Sequence, residues 1–134
     1  MSNKIIGNHF EQQFCERLFE NGFWVHNLAQ NSAGQPADVI AVRNGNAYLI
    51  DCKVCSTEKG FSLNRIEDNQ SLSMELWEKV GNNSCYFALL YEDEIYMITF
   101  AELRANKKSS LNPDDIKSCM TLDEWLKKLW ERGE

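Results

Sequence analysis

The chain has 134 residues, 43% of them hydrophobic and 25% charged, with a formal net charge of −6. That length predicts one domain over 1–134 with a real core, and the acidic balance argues against a broad basic nucleic-acid surface while leaving room for a local one. No apolar run nears the roughly 20 residues of a membrane helix; five scattered cysteines and only two histidines argue against a disulfide framework and a His-rich zinc cluster, so a cytoplasmic protein with no membrane partner is expected.

Residues from about Gly7 to Asn21 read as a helix. Phe10, Phe14 and Leu18 recur at i, i+4 and i+8, with Ile6 one turn earlier and Gly22 at the end. Glu11 falls about 100° from Phe10 on the helical wheel, at the border of that stripe, whereas Glu16 and Glu20 project away. Asn8-x-x-Glu11 also matches a capping box, so Glu11 is either a cap or a carboxylate bordering the sheet. Phe23 to Leu28 is a short strand, and Ala29 to Gln35 a polar loop that leads to Pro36.

Ala37 to Arg43 and Asn46 to Val54 form a hairpin about Asn44-Gly45, the strongest short-range signal for a tight two-residue turn. Counting outward from that turn, Arg43 opposes Asn46, Val42 opposes Ala47, Ile40 opposes Leu49, and Asp38 opposes Asp51. Opposed residues share a face, with Cβ atoms about 4.5–5.5 Å apart, and Lys53 shares it by alternation. Both faces of the hairpin are largely apolar, so these strands are central and covered. Two facing carboxylates destabilise such a sheet; a divalent cation between them reverses the sign. Asp38 and Asp51 therefore read as metal ligands with Lys53 beside them, and Glu11 as a third ligand. The bland readings are a turn cap for Asp38 and a snorkelling strand-end amine for Lys53. Cys52 and Cys55 have C-x-x-C spacing, but an odd spacing sends them to opposite faces.

Ser56 to Asn64 reads as a flexible loop. A helix follows over about Arg65 to Val80, with Asn64 as N-cap and Glu67 closing a capping box; Ile66, Gln70, Met74 and Trp77 line one side of it. Gln70, on an apolar stripe, is either satisfied by backbone or holds a phosphate or water. Arg65, Lys59 and Lys4 are candidate phosphate-positioning charges, against a bland reading as solvated surface. Gly81-Asn82-Asn83 stops the helix. Cys85 to Tyr91 and Glu94 to Thr99 form a second hairpin about Glu92-Asp93. Phe100 to Ala105 is a short helix, Lys107 to Asn112 an exposed turn, Pro113 the start of another short helix, and Leu122 to Trp130 a final amphipathic helix. The order αβββαββ plus C-terminal helices predicts a central mixed five-stranded sheet flanked by helices, with a core of about 7–100 and a helical extension of about 101–134.

Asp38 after Pro36-Ala37, twelve residues, then Asp51-Cys52-Lys53 resembles the PD-(D/E)XK nuclease superfamily. Gly7-Asn8-His9-Phe10-Glu11 resembles the G-x-x-F-E opening of its Holliday junction resolvase branch. The Ala47–Lys53 strand, the Gly60-Phe61-Ser62 loop and the Ile66…Gln70 helix look most like RecU-like resolvases of Gram-positive bacteria and their phages. The resemblance spans about residues 7 to 100. It implies a restriction-endonuclease-like α/β/α fold and Mg²⁺-dependent phosphodiester cleavage (Mn²⁺ substituting) of branched or four-way DNA by a homodimer. Carried over by position, Glu11, Asp38 and Asp51 would hold metal, Lys53 would orient the attacking water or stabilise phosphorane charge, and Gln70 would support it. Asp51 stands where that branch more often has Glu. The alternatives are a restriction- or repair-type endonuclease, a non-catalytic nucleic-acid-binding module on the same fold, and an unrelated domain, which a hairpin register offset by one would favour.

Overall fold

The computed structural model describes residues 3–28 and 37–134. The first helix, α1 (Asn3–Glu20), starts four residues ahead of the expected boundary. Asn8 and Glu11 therefore lie inside it, and their reading as a capping box is withdrawn. Phe10, Phe14 and Leu18 are buried, as their spacing predicts. After Gly22 at φ +86°, the chain enters the edge strand β1 (Trp24–Asn27), which pairs antiparallel with β2 (Val39–Arg43). The expected loop over Ala29 to Gln35, and Pro36, lie outside the described residues.

β2 and β3 (Asn46–Val54) meet through Asn44 at φ +53° and Gly45 at φ +78°, the paired positive φ of a type I′ turn. Val39 pairs with Ile50, Ile40 with Leu49 and Arg43 with Asn46. The ladder ends at Val39 opposite Ile50. The Asp38 amide donates to that same Ile50 carbonyl (3.2 Å), so Asp38 lies just beyond the last paired residue, and the expected direct opposition of Asp38 and Asp51 is replaced by a bulge-like step. Next come β4 (Phe61–Ser62), a 3₁₀ turn (Leu63–Arg65) and α2 (Asp68–Lys79).

The start of α2 differs from the expectation. Its N-cap is Glu67 rather than Asn64, and Gln70 closes the capping box. Ser62 Oγ donates to Asn64 Oδ1 (2.7 Å), which occupies the expected cap, and Ile66 is extended at φ −85°, ψ 113°. A helix cannot run through that residue.

β5 (Tyr86–Tyr91) and β6 (Glu94–Thr99) form the second hairpin. α3 (Phe100–Ala105), β7 (Ser110–Leu111), α4 (Pro113–Lys117), β8 (Met120–Thr121) and α5 (Leu122–Arg132) complete the chain. The main sheet has six strands in the order β1-β2-β3-β5-β6-β8. The expected five are joined by β8, a two-residue strand on the β6 edge. Among the described strands only β3 and β5 pair in parallel, because α2 carries the chain across between them. A second small sheet pairs β4 with β7. Both lie in segments expected as loop or turn, and two-residue strands carry no periodicity to read.

Helices cover both faces. On one, Phe10, Phe14 and Leu18 of α1 and Trp125, Leu126 and Leu129 of α5 pack over Val39, Tyr48 and Ile50. On the other, Met74 of α2, Phe100 and Leu103 of α3 and Ile116 of α4 pack over Leu49, Phe87 and Leu89. Burying each such Phe, Leu or Ile is worth about 1.5–3 kcal/mol. Since α5 shares one cluster with α1, the C-terminal segment is a packed layer of this core. Among the described residues no helix is long and apolar enough to cross a membrane.

Candidate active site

Four elements meet at one end of the sheet: the start of β2, the C-terminal half of β3, the middle of α1 and the first turn of α2. A cleft of about 780 Å³ opens there, lined by Gly7, Glu11, Asp38, Asp51, Lys53 and Gln70, among others. Its other wall carries Arg65 and Glu67.

Asp38 precedes β2, and its Oδ2 accepts the Cys52 amide at 2.8 Å. This bond turns the carboxylate across β3. Asp51 is 2% exposed. Its Oδ1 accepts from Gln70 Nε2 at 3.2 Å, and its Oδ2 has Lys53 Nζ at 3.1 Å but makes no hydrogen bond of sound geometry. Gln70 serves two structures at once: its Oε1 accepts the Glu67 amide at 3.3 Å to cap α2, while its amide nitrogen holds Asp51. The amine of Lys53 also donates to the Arg65 carbonyl at 3.4 Å. Arg65 is tied down in turn, with Nη1 donating to the Val54 carbonyl (2.8 Å) and its guanidinium 5.4 Å from the Phe61 ring centre.

The charges do not balance. Three carboxylates stand against one ammonium. Burial, then the Asp38 charge and a hydrogen bond with Asp38, push Glu11 from 4.5 up to about 7, and Lys53 offsets this only in part. Asp51 is also raised well above the carboxylate range, by burial first and Asp38 second, even with Lys53 at 3.1 Å. Desolvation and a like charge therefore outweigh one ion pair here. Cys52 is raised as well, by burial and then by Asp38 and Asp51; its thiol stays protonated and is a poor ligand. Cys52 packs toward the α1 face and Cys55 toward the α2 face, so the C-x-x-C spacing makes no site.

A divalent cation fits this donor set. The oxygens are hard, one buried carboxylate oxygen lacks a sound hydrogen bond, and the excess negative charge is what such an ion removes. The fit is open rather than caged: among the described residues, no three His, Cys, Asp or Glu side chains are already set to hold a metal ion. An ion that keeps several waters and takes one or two carboxylates plus substrate oxygens suits such a half-built site.

Of the residues singled out by sequence, Glu11, Asp38, Asp51, Lys53, Gln70 and Arg65 line the cleft; Lys4 and Lys59 do not. Lys4 is exposed on the α1 face that carries Glu11, and Lys59 is exposed in the Ser56–Gly60 turn. Sequence reading missed Ser56 and the wall position of Glu67. Ser56 Oγ accepts the Glu58 and Lys59 amides, a Ser-turn signature that was available in the sequence.

The family model described as archaeal Holliday junction resolvase (Hjc) matches residues 2–133. Among solved structures, Archaeoglobus fulgidus Hjc, a Holliday junction resolvase from an archaeal hyperthermophile, matches with a TM-score of 0.70. That match covers 90% of this chain and 99% of the other at 17% identity, which speaks for the fold. No curated protein matches the sequence.

Proposed function

This chain belongs to the archaeal Holliday junction resolvase family, and we propose that it is a divalent-metal-dependent endonuclease that resolves four-way DNA junctions at the Asp38–Asp51 cleft. The observation that carries this reading is the buried, charge-crowded set Asp38, Asp51 and Lys53, steadied by Gln70. We take the ion to be Mg²⁺, with Mn²⁺ able to replace it, and its ligands to be Asp38 and Asp51, with Glu11 approaching from α1. Bound there, the ion supplies Lewis-acid stabilisation of charge on the phosphate and a more acidic attacking water. The remaining work falls to this chain's own groups. Lys53, fixed by Asp51 and the Arg65 carbonyl, sets a compact positive charge beside the phosphate oxygens and orients the attacking water. Gln70 holds the Asp51 carboxylate in place. Arg65, Lys59 and Lys4 contact flanking phosphates. The Gly60-Phe61-Ser62 loop and the Ile66…Gln70 segment support a kinship with RecU-like resolvases within the same superfamily. The enzyme acts as a cytoplasmic homodimer, since resolving a junction takes one cut on each of two strands.

The test is cleavage of a labelled mobile four-way junction and of linear duplex by wild type and Asp38→Ala, in Mg²⁺, in Mn²⁺ and in EDTA. Wild type should cut the junction only with an ion, and Asp38→Ala should be at least about 100-fold slower. Binding without nicking in either ion would instead make this a non-catalytic module. Equal cutting of duplex and junction would make it a restriction- or repair-type endonuclease.

A further inference from the structure

Gly7 stands apart from the other described glycines. Gly22, Gly45, Gly60, Gly81 and Gly133 all have positive φ, which L side chains adopt poorly. Gly60 is also fixed by space, because a Cβ there would meet the Leu111 carbonyl oxygen at 2.1 Å. Gly7 meets neither demand. Its backbone is helical within α1, and among the described residues a Cβ on it would find nothing within 4 Å. Glycine is among the poorest residues in a helix, so the fold loses stability at this position and gains no packing in return.

The open space at Gly7 is the catalytic cleft, which α1 lines with Ile6, Gly7 and Glu11. Lys4 precedes Gly7 by three residues and Glu11 follows by four, so the three share one helix face. That face runs from a cation, across bare main chain, to Glu11, whose carboxyl hydrogen-bonds with Asp38. A polyanion crossing it would meet an attractive charge, then a gap, then the site. Within a helix the main-chain amides are already bonded to carbonyls, so the gap contributes clearance and no hydrogen bond.

We propose that Gly7 is the point where the sugar–phosphate backbone of the bound DNA strand passes against α1, and that its missing side chain sets how closely the strand approaches Asp38 and Asp51. Gly7 is a positioning residue, and its role rests on the nuclease reading above.

The test compares wild type, Gly7→Ala, Gly7→Leu and, as a control, Asn8→Ala, whose side chain is exposed and outside the cleft lining. Four readouts are taken: thermal midpoint, Mg²⁺ binding by calorimetry, junction KM and kcat, and mass in solution by light scattering. Gly7→Ala should raise the midpoint by about 2–4 °C yet raise the junction KM about tenfold. Gly7→Leu should be weaker still, with Mg²⁺ binding and mass unchanged in both. Asn8→Ala should leave KM and kcat as in wild type. If wild type cleaves and both Gly7 variants keep its KM, the inference is wrong and the nuclease reading stands. Wild type failing to cleave in any ion overturns both. A Gly7 variant that falls to half the wild-type mass overturns the inference in favour of a protein contact at this face.

Discussion

Asp51 is the residue on which the site turns, because three groups act on it with different signs. Gln70 donates to one oxygen, Lys53 sits by the other, and Asp38 repels both. Replacing it with asparagine keeps the shape, leaves an acceptor for Gln70 and removes a charge that burial already disfavours. Asp51→Asn should therefore unfold no earlier than wild type in EDTA, while metal-dependent cleavage falls at least about 100-fold. Undiminished turnover would remove Asp51 from the chemistry. Lys53→Ala separates the roles further: calorimetry should still register Mg²⁺, and turnover should be lost. Loss of Mg²⁺ binding instead would mean the ammonium helps build the ion site. The meeting of Asp38 with Asp51 was legible in part: Asn44-Gly45 fixes the register from Arg43–Asn46 out to Val39–Ile50, but counting does not carry it to Asp38, whose amide bonds the Ile50 carbonyl. The double duty of Gln70 was not legible, since a side chain that caps its own helix and reaches Asp51 is visible only once α2 is laid beside β3.

Elements with a strong local signal form where expected. The hairpins and α1 come from turn chemistry and an apolar stripe, and they differ from the sequence reading only at their ends. The segment from Ser56 to Ile66 is where local rules compete. Ser56 and Gly60 exchange backbone hydrogen bonds (2.9 and 2.8 Å), β4 borrows its partner β7 from a distant turn, and Asn64 is taken by Ser62. This segment matters to the site because the Arg65 carbonyl at its end receives the Lys53 amine. Gly60→Ala should cost roughly 1–3 kcal/mol from strain at its φ of +82°, with the clash against Leu111 adding to that. Urea unfolding measures it, and kcat should fall as the 3₁₀ turn shifts and Lys53 loses its seat. The expected sign is opposite to that of Gly7→Ala, though both change the same residue type; an unchanged urea midpoint would show that β4 and β7 do not brace this wall.

At the scale of the molecule, the net charge of −6 looks unfavourable for a DNA-binding protein until part of it is placed at the cleft. Carboxylates held above their ordinary range are a pH-dependent cost to the fold. Glu11 titrates near 7 instead of 4.5, and Asp51 is raised as well, so the native chain keeps protons that the unfolded chain has lost. The resulting stability is fully present below the ordinary carboxylate values and is lost as pH rises through the folded ones. Without metal, the thermal midpoint should therefore fall between about pH 5 and about pH 8. A divalent ion that binds only the native state stabilises it by mass action, and it competes with those same protons. Saturating Mg²⁺ should thus raise the midpoint little at the acid end and progressively more toward the alkaline end. The gap between the two curves should widen with pH in wild type and collapse in Asp38→Ala, which removes both the repulsion and a proposed ligand. A gap that stays flat across the range would mean that the protons and the ion do not share these oxygens, and that the acidity of the cleft serves some other purpose.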